Sequence, residues 1–424
     1  MTVTEHVLVV GGGMEIPGLL REHLPGLRTS VMCQMYVLPR LRDVDRHARV
    51  LAFQRDSPDT EWINSALGVH RDDPFTRVAA FSERDQRRAA RLAEALKLAW
   101  HPVEVVEAVY DKDLTRHILA EAGVEKVLVK RCGSGDEAAA WVGENPGRWV
   151  LKPVDGTGSA GVSVVSTAEE ARRAYERCAA ADHSGDIERT QVLVEEYLDG
   201  PQISVESFSE EGEHCVVAAT GKFSHPDSLV ELGHVVPAAL SEKDREEVWR
   251  YVPAVLDALG VRNGACHTEL VLTGEGPRLI ETHLRLGGDD IPELVKEATG
   301  VDLVDAVVRQ TVGERVLPGI RTALSGPARR AHAIWFGASP CEGRAVRVEG
   351  LEKLRSSDEL DVESYVSADD DIRALEDSHA RILQVRAHAP TPEEAVRKAY
   401  EAVSSCRLVL SVPLLAGTDP EEAV

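Results

Sequence analysis

The chain has 424 residues, of which 43% are hydrophobic, so it is long enough for several structural units with ordinary apolar cores. Its formal net charge of −23 argues against nucleic acid as the main partner and against an anionic membrane surface, because both need a basic binding surface. Seven scattered cysteines argue against a disulfide framework or a structural zinc site. No stretch approaches the ~20 apolar residues of a membrane span, so we expect a cytoplasmic protein.

The first part of the chain, to about residue 106, alternates short apolar runs with amphipathic helices. Residues 6–12 read as a buried strand that enters a glycine-rich turn. The segment 78–96 predicts a strand, an acidic turn and then a helix with apolar residues at positions 89, 92, 93 and 96. This pattern is typical of an α/β domain.

The N-terminal glycines, Gly11 to Gly13, invite comparison with a dinucleotide-binding fingerprint. The run fails the G-x-G-x-x-G pattern because Ile16 stands where the third glycine should be. We therefore interpret it as a structural strand-to-helix turn. A nicotinamide-dependent dehydrogenase built on this run is the alternative.

A helix is predicted from Leu114 to Ala122, with Asp113 as its N-cap and Gly123 just beyond its C-terminus. Lys112 lies directly before it. Taken alone, Lys112 would be a solvated surface lysine.

Strands are predicted at 149–153 and 162–166, joined by the glycine-rich loop Asp155–Gly161. Glycines let backbone N–H groups approach phosphate oxygens closely, and Lys152 ends the first strand within reach of the same phosphates. No Walker sequence is present. The alternative is a flexible hairpin turn with no ligand.

Helices are predicted near 168–181 and 241–259. Three strand-like runs lie between them, at 191–198, 203–209 and 214–220. The first run ends at a tight turn, where its backbone could present N–H and C=O groups to a nucleotide base. An ordinary sheet strand is the alternative.

Two glutamates, Glu269 and Glu281, flank the turn 273–277, and alternating runs on either side predict a β-hairpin. If the hairpin is symmetric about Glu275, Glu269 faces Glu281. Directly opposed like charges are destabilising, and a cation between them would remove the penalty. Oxygen ligands of this kind suit Mg²⁺.

Three further polar residues share the predicted face of this hairpin: His267 opposite His283, and then Arg285. Together with the glutamates they predict a site for a metal, a phosphate and a carboxylate. The alternative is a solvated outer face, and a one-residue bulge would break the register.

Beyond the hairpin, a helix is predicted near 291–299, and Pro318–Pro327 reads as a turn-rich boundary. The last unit ends in strand, helix and strand. Thr391 and Glu394 form a capping box with Pro392 at the first helical position, which predicts a helix over 392–404.

In order and spacing, five motifs resemble those of the ATP-grasp superfamily of carboxylate–amine ligases: 109–124, 149–162, 192–201, 267–270 and 279–289. The resemblance covers about residues 78 to 312. Three stretches are most similar to the L-amino-acid ligases, which make dipeptides: His267-Thr268-Glu269, residues 276–281 and residues 230–237.

The resemblance implies a role for each matching residue. ATP would be bound by the residues Lys112, Lys152, Gly156, Thr157, Gly158, Ser159, Ala160, Gly161, Glu195, Glu196, Tyr197, Leu198 and Gln202. Two Mg²⁺ ions, or Mn²⁺ in their place, would be held by Glu269 and Glu281, with His283 as a weaker third ligand. Substrates would meet Glu231, His267, His283, Arg285, Gly287 and Gly288. The catalytic residues would be Arg285, His267 and Lys152.

Two positions depart from the family pattern. His283 stands where many members have an asparagine metal ligand, and imidazole is a poorer Mg²⁺ ligand than an amide oxygen. Gln202 stands where a glutamate often binds the ribose hydroxyls. Both departures slightly favour the rival interpretation, a non-catalytic nucleotide-binding module. The presence of both metal glutamates and both lysines counts against it, so we expect an enzyme.

The implied fold is α/β, α+β in parts. It has a Rossmann-like N-terminal domain (1–108), an ATP-grasp lid subdomain (109–190), a central subdomain with the metal site (191–318) and a C-terminal α+β lobe (319–424). The implied activity is ATP-dependent amide-bond formation between small-molecule substrates through an acyl phosphate. A homodimer is also implied. A biotin-carboxylase-like or purine-pathway activity remains an alternative.

Overall fold

The computed structural model describes residues 4–154, 161–180, 191–225, 230–327, 329–339, 341–375 and 377–411. The chain divides into two compact units. The first contains Met1–Thr220 and Leu240–Ala328, and the second contains Gly221–Ala239 and Arg329–Val424. The second unit is therefore discontinuous in sequence, because it includes the short segment Gly221–Ala239 from the middle of the chain. The four-part division at residues 108, 190 and 318 stays a prediction.

The first unit begins with a parallel sheet whose strands pair in the order β3-β2-β1-β4. All five residues of β1 are buried, and the helices pack on an apolar core, as the α/β pattern predicts. The elements are β1 (His6–Val10), α1 (Ile16–His23), β2 (Arg28–Gln34), β3 (Arg49–Phe53), α2 (Asp59–Asp72), β4 (Arg77–Ala80) and α3 (Gln86–Leu96).

The N-terminal glycine run makes the turn from β1 into α1. Gly11 has a left-handed φ of 85°, and a Cβ atom built on it would lie 1.9 Å from Oδ2 of Asp85. Only glycine fits so close an approach. This geometry agrees with a structural turn.

Two helices, α4 (Val103–Tyr110) and α5 (Lys112–Glu121), lead into a second sheet of order β5-β8-β6-β7. Its elements are β5 (Val129–Cys132), α6 (Gly135–Glu144), β6 (Trp149–Pro153), β7 (Ser163–Val165), α7 (Ala168–Ala180) and β8 (Val192–Glu196). Its strands pair antiparallel, and α6 and α7 share its apolar core.

The start of α5 corrects one expectation. The N-cap is Asp111, not Asp113, because the Asp111 carboxylate accepts hydrogen bonds from the N–H groups of Asp113 and Leu114 at 3.0 Å. Lys112 is therefore the first residue of the helix rather than the residue before it. Gly123 follows the C-cap with φ 69°, as predicted.

The central sheet of the first unit has the order β13-β12-β9-β10. Its elements are β9 (Gln202–Glu210), β10 (Glu213–Ser224, which ends in the second unit), α8 (Glu242–Ala258), β12 (Gly264–Thr273), β13 (Gly276–His283), α9 (Ile291–Thr299), α10 (Leu303–Thr311) and α11 (Leu317–Leu324). The turn-rich interpretation of Pro318–Pro327 is wrong, because Pro318 lies in the first turn of α11, where a missing N–H costs nothing.

In the second unit, the end of β10 pairs with β11 (Glu231–Val236), and the sheet continues in the order β11-β14-β18-β16. A three-stranded sheet has the order β17-β15-β19. The further elements are β14 (Ala331–Ala338), β15 (Gly343–Glu349), α12 (Leu351–Arg355), β16 (Leu360–Ser364), β17 (Asp371–Ile372), β18 (Arg381–Ala389), α13 (Pro392–Ser404) and β19 (Arg407–Ser411).

The capping box at Thr391 forms as predicted. Its hydroxyl accepts a hydrogen bond from the Glu394 N–H at 3.3 Å, and α13 covers the predicted range. Among the described residues, none of the helices combines the length and the apolar character needed to cross a membrane.

Candidate active site

The β12–β13 hairpin brings Glu269 and Glu281 directly opposite each other, and His267 opposite His283, so the predicted register is confirmed. The route to it differs from the prediction. The turn is the two-residue loop Gly274-Glu275, and the register then shifts by one residue at Ile280. The bulge that was expected to break the register therefore produces it.

The two carboxylates and the His283 imidazole each offer an atom within 4.8 Å of the others. Both glutamate side chains are about one-fifth exposed, at 18% and 20%. Two opposed carboxylate oxygens suit a hard divalent cation such as Mg²⁺. Nδ1 of His283 already lies 3.2 Å from Glu83, and imidazole is the poorer ligand for Mg²⁺. The residues present therefore fit a cation held chiefly by Glu269 and Glu281.

Two nitrogen-bearing side chains flank the second glutamate, Glu281. The Lys112 ammonium lies 3.0 Å from Oε2 of Glu281, and Nε2 of His283 lies 3.2 Å from Oε1. Burial alone would raise the pKa of Glu281, but Lys112 and His283 outweigh it and hold that pKa well below its ordinary range. Glu281 is therefore ionised and ready to hold a cation.

Arg285 follows β13, and its guanidinium donates to Glu83 at 3.2 Å and to the Leu286 carbonyl at 2.9 Å. Burial lowers the pKa of Arg285, but Glu83 outweighs burial and raises it. Glu83 also contacts His283. One carboxylate thus orients two of the predicted substrate residues.

His267 is buried between two carboxylates. Its Nδ1 lies 2.9 Å from Glu206, and its Nε2 lies 3.4 Å from Glu269. Burial lowers the pKa of His267, but Glu206 and Glu269 outweigh burial and raise that pKa to about 9. At neutral pH the imidazole is therefore cationic, which suits it to contact an anion.

Gly287 and Gly288, the two predicted glycines in the loop after β13, have different surroundings. A Cβ on Gly287 would come within 3.0 Å of the His267 ring and 3.1 Å of the Glu206 carboxylate, so the backbone there closes over both side chains. Gly288 accepts the hydrogen bond from the Ile291 N–H that opens α9.

Lys152 of β6 lies in a buried charge cluster. Its ammonium donates to Glu195 at 2.8 Å, and Arg116 holds the same carboxylate. Burial lowers the pKa of Lys152 and would raise that of Glu195, but Arg116 and Lys152 together hold the pKa of Glu195 at about 2. The Glu195 side chain is thus a partner of Lys152.

The other predicted nucleotide residues lie at the end of β8 and the start of β9. The Glu196 N–H donates to the Leu128 carbonyl at 3.0 Å, and the Arg148 guanidinium lies over the Tyr197 ring at 3.6 Å. Leu198 follows β8, and Gln202 opens β9 with an exposed side chain.

The glycine-rich loop falls outside the described residues over Gly156, Thr157, Gly158, Ser159 and Ala160. Gly161 is described and has a left-handed φ of 77°. Glu231 lies in the second unit on β11, where it pairs with Lys222 and its carbonyl accepts from Arg381 at 3.0 Å.

Arg285 also lines a cavity of about 440 Å³ in the first unit. The cavity runs along β4 and the start of β12, and its wall includes Phe81, Trp100 and Ala265. Burial lowers the pKa of His101, another wall residue, to about 4. This space is large enough for a small molecule.

The sequence did not single out Glu83, Glu206, Arg116 or Glu125 as part of the site. Glu206 carried a signal, because it is the only charged residue in the strand-like run Ile203–Ser209 and a charge buried in a sheet needs a partner. Finding that partner required the β9–β12 pairing, which places Glu206 opposite His267.

Comparison with protein families places an ATP-grasp domain at residues 146–293 and an L-amino acid ligase C-terminal domain 2 at residues 335–411. The ATP-grasp match includes Lys152, the β8–β9 segment and the whole glutamate hairpin. The resemblance inferred from the five motifs is confirmed.

Among curated proteins, the chain is 26% identical over 307 residues to dapdiamide A synthase of Enterobacter agglomerans, covering 71% of this chain and 72% of that protein. It is 24% identical over 237 residues to alanine–anticapsin ligase of Bacillus subtilis (strain 168), covering 52% and 50%. An uncharacterized protein of Sinorhizobium fredii is 27% identical over 304 residues, 71% of this chain and 62% of that protein. The chain thus matches about half to three-quarters of the length of these relatives.

Among solved structures, the L-amino acid ligase from Bacillus licheniformis has a TM-score of 0.80 at 20% identity, covering 96% of this chain and 99% of that one. Phosphoribosylglycinamide synthetase from Anaerococcus prevotii has a TM-score of 0.70 at 16% identity, covering 96% and 100%. At these identities the likeness shows the fold alone, and the predicted ATP-grasp fold is confirmed.

Proposed function

We propose that this chain, which carries an ATP-grasp domain followed by an L-amino acid ligase C-terminal domain, is an ATP-dependent carbon–nitrogen ligase. Its substrates are an L-amino acid that supplies the carboxylate and a second amino acid that supplies the amine. A carboxylate oxygen attacks the γ-phosphorus of ATP, which gives an acyl phosphate and releases ADP. The amine then attacks the acyl carbon and loses a proton, and phosphate leaves as the amide forms.

The observation that carries this proposal is the opposed pair of carboxylates, Glu269 and Glu281, inside the ATP-grasp domain. Two carboxylates that face each other repel when both are ionised, although Lys112, His283 and His267 lie within 3.0 to 3.4 Å of them. A site for a metal–nucleotide needs two such partly exposed carboxylates close together.

Glu269 and Glu281 would hold the divalent cation, which when bound neutralises charge on the nucleotide phosphates. We propose two Mg²⁺ ions, with Mn²⁺ able to replace them. Lys112 balances Glu281 in the structure. In the proposed complex the cation takes over that carboxylate, and the lysine ammonium contacts a phosphate.

Lys152 and Arg285 would contact the phosphoryl group and the substrate carboxylate. Transfer of a phosphoryl group depends mostly on positioning and electrostatic stabilisation, which fixed cationic side chains provide. Both residues are held by buried or nearly buried carboxylates, Glu195 and Glu83, so their positions are set before substrates bind. The phosphate-covering role of residues 156–161 stays a prediction.

The amine must lose a proton when it attacks, and His267 and Glu231, two substrate residues that the resemblance implies, are the candidate bases. Because the structure raises the pKa of His267 to about 9, the imidazole is protonated at neutral pH. We propose that it first contacts the acyl phosphate or substrate carboxylate as a cation. The homodimer and the cytoplasmic location stay predictions.

The proposal is tested by a phosphate-release screen over pairs of L-amino acids with Mg·ATP, with ADP measured in parallel. A ligase releases ADP and phosphate only when both an acyl donor and an amine are present, and it yields a dipeptide that mass spectrometry detects. If the chain binds nucleotide but no amino-acid pair causes turnover, the result would favour the non-catalytic nucleotide-binding module. Bicarbonate-dependent ADP release would indicate the biotin-carboxylase-like alternative.

A further inference from the structure

We infer that Arg116, Glu125 and Tyr251 are positioning residues that connect the phosphate-binding Lys152 to the backbone bulge which brings Glu281 opposite Glu269. This inference rests on the proposed function. The three residues form one hydrogen-bonded network inside the first unit, in which Arg116 and Glu125 are buried and Tyr251 is partly buried. They would act through Lys152 and Glu281, without touching a substrate themselves.

At one end, the network fixes the lysine. The Arg116 guanidinium donates through Nε and Nη2 to the two oxygens of Glu195, at 2.8 and 3.0 Å. Lys152 donates to one of those oxygens at 2.8 Å. A carboxylate held in this forked geometry cannot rotate without breaking charged hydrogen bonds. Arg116 therefore sets where the lysine ammonium stands.

At the other end, the network fixes the glutamate hairpin. Arg116 donates through Nη1 to Glu125 at 2.8 Å, and the Tyr251 hydroxyl donates to the same carboxylate at 2.7 Å. The Leu279 N–H donates to Glu125 at 3.2 Å and to the Tyr251 oxygen at 3.0 Å. The Ile280 carbonyl accepts from Arg116 at 3.2 Å.

Leu279 and Ile280 are where the strand register shifts. Leu270 pairs with Leu279, but Glu269 pairs with Glu281, so Ile280 is the extra residue. Without this extra residue, Glu269 would face Ile280, and the Glu281 side chain would point to the opposite face of the sheet. The geometry of the metal pair thus depends on the two backbone groups that the network binds.

The position of β13 in the sheet explains why side chains form the hydrogen bonds to this bulge. The strand lies at the end of the sheet order β13-β12-β9-β10, so its outer backbone groups have no neighbouring strand in that order. Instead, the side chains of Arg116, Glu125 and Tyr251 form hydrogen bonds with the Leu279 N–H and the Ile280 carbonyl. A hydrogen-bonded bulge keeps one register where an unsupported edge strand can slip.

Arg116 has no direct access to a ligand. Its side chain is 2% exposed, and its Nε, Nη1 and Nη2 atoms all donate to Glu195, Glu125 or Ile280. Because a buried ion-pair cluster often contributes little net stability compared with apolar packing, stability alone is a weak reason for this arrangement. Fixing a register is a better-attested use of buried polar groups.

The test compares Arg116→Lys and Tyr251→Phe with matched controls in the full-length chain. Lysine keeps the charge but cannot make the four hydrogen bonds of the guanidinium, and phenylalanine removes only the hydroxyl. Arg88→Lys is the control for the arginine, since Arg88 is buried against Asp59 beside the N-terminal sheet. Tyr365→Phe is the control for the tyrosine, since its hydroxyl bonds Gln384 in the second unit.

The primary readout is Mn²⁺ binding in the presence of ADP, measured by electron paramagnetic resonance on folded protein. We expect Arg116→Lys to weaken Mn²⁺ binding by about 10- to 100-fold, as changes to groups that orient metal ligands commonly do. Tyr251→Phe should weaken it by a smaller factor, and both controls should match the unchanged protein. Circular dichroism and thermal melting verify the fold.

Turnover supplies the second readout. In both variants we expect kcat to fall and the KM for ATP to rise, while the KM for the amino acids stays constant. A purely structural role would instead lower the active fraction and leave Mn²⁺ affinity per folded molecule and the KM for ATP unchanged. That result would overturn the inference. If Arg116→Lys does not fold, the test rests on Tyr251→Phe. An Mn²⁺ affinity of Tyr251→Phe equal to that of the unchanged protein would then contradict the inference.

The Mn²⁺ measurement also separates this inference from the proposed function. If the unchanged protein binds no Mn²⁺ with ADP, the proposed function fails. If it binds Mn²⁺ and the network variants bind equally well, the positioning inference fails while the proposed function stands.

Discussion

Two pairs of carboxylates in the first unit differ in how their charge is balanced. Glu125 and Glu195 are buried, and Arg116 and Lys152 hold them with hydrogen bonds of 2.8 to 3.0 Å. Glu269 and Glu281 face each other and remain about one-fifth exposed. The first pair forms a closed set of positioning contacts, whereas the second is open to an added cation. We therefore expect cation binding at the partly exposed pair, which Lys112, His267 and His283 also contact, and a positioning role at the buried pair.

The largest effect should follow from removing an oxygen ligand of the open pair. We expect Glu281→Ala to lower the rate of ADP formation by about 10³-fold or more, because it removes half of the predicted cation site. Steady-state ADP release with saturating amino acids measures this change. Glu275→Gln, at the exposed turn of the same hairpin, is the control and should retain activity. Full turnover in Glu281→Ala would refute the metal assignment.

The next largest effect concerns Lys152, which belongs to the closed set. Lys152→Met should lower phosphoryl transfer by about 10²-fold, because it removes a cation predicted to stabilise charge on the phosphates. It also leaves Glu195 with Arg116 as its remaining partner in the cluster, so the melting temperature should fall. The control is Lys130→Met on β5, an exposed position in the same sheet. Equal activity of the two variants would place the phosphates elsewhere.

A smaller effect is expected at His267, which contacts both Glu206 and Glu269. His267→Asn should lower kcat by about 10-fold, because it removes a cation predicted to face the acyl phosphate or carboxylate. The KM for ATP should change little, since this role concerns the amino-acid end of the site. Glu206→Gln should shift the same parameters in the same direction. A rise in the KM for ATP alone would contradict this role.

The smallest effect is a dependence of stability on acid. The pKa of Glu195 is about 2 in the folded chain, below its ordinary value of 4.5, because Arg116 and Lys152 outweigh the effect of burial. A lowered folded pKa gives stability that is complete above pH 4.5 and is lost as the pH falls towards 2. Urea unfolding at pH 5, 4 and 3 should therefore show a steeper loss of unfolding free energy for the unchanged chain than for Glu195→Gln. Parallel losses would show that Glu195 does not set this dependence.

Much of the hairpin could be predicted from the sequence, because alternation and turn residues define strands locally. Glu269, Glu281, His267 and His283 fall on one face as that pattern predicts. The bulge at Ile280 could not be predicted in this way. Its hydrogen-bond partners, Arg116, Glu125 and Tyr251, lie far away in the sequence, and no local pattern records such contacts.

Helix ends show the same limit on a smaller scale. Thr391 was identified correctly as an N-cap, because its capping box and the proline after it are a strong local signal. At α5 the sequence pattern indicated Asp113, but Asp111 is the N-cap, and Arg131 donates to both carboxylates. A local pattern that lacks a capping box fixes the start of a helix only to within a few residues.

We propose above all that a divalent cation sits between Glu269 and Glu281 when nucleotide is bound. A crystal structure with ADP and Mn²⁺, using anomalous scattering to locate the metal, tests this most directly. We predict an anomalous peak within coordination distance of both carboxylates and of the nucleotide phosphates. A bound nucleotide with its metal away from these two glutamates, or with no metal near them, would contradict the account.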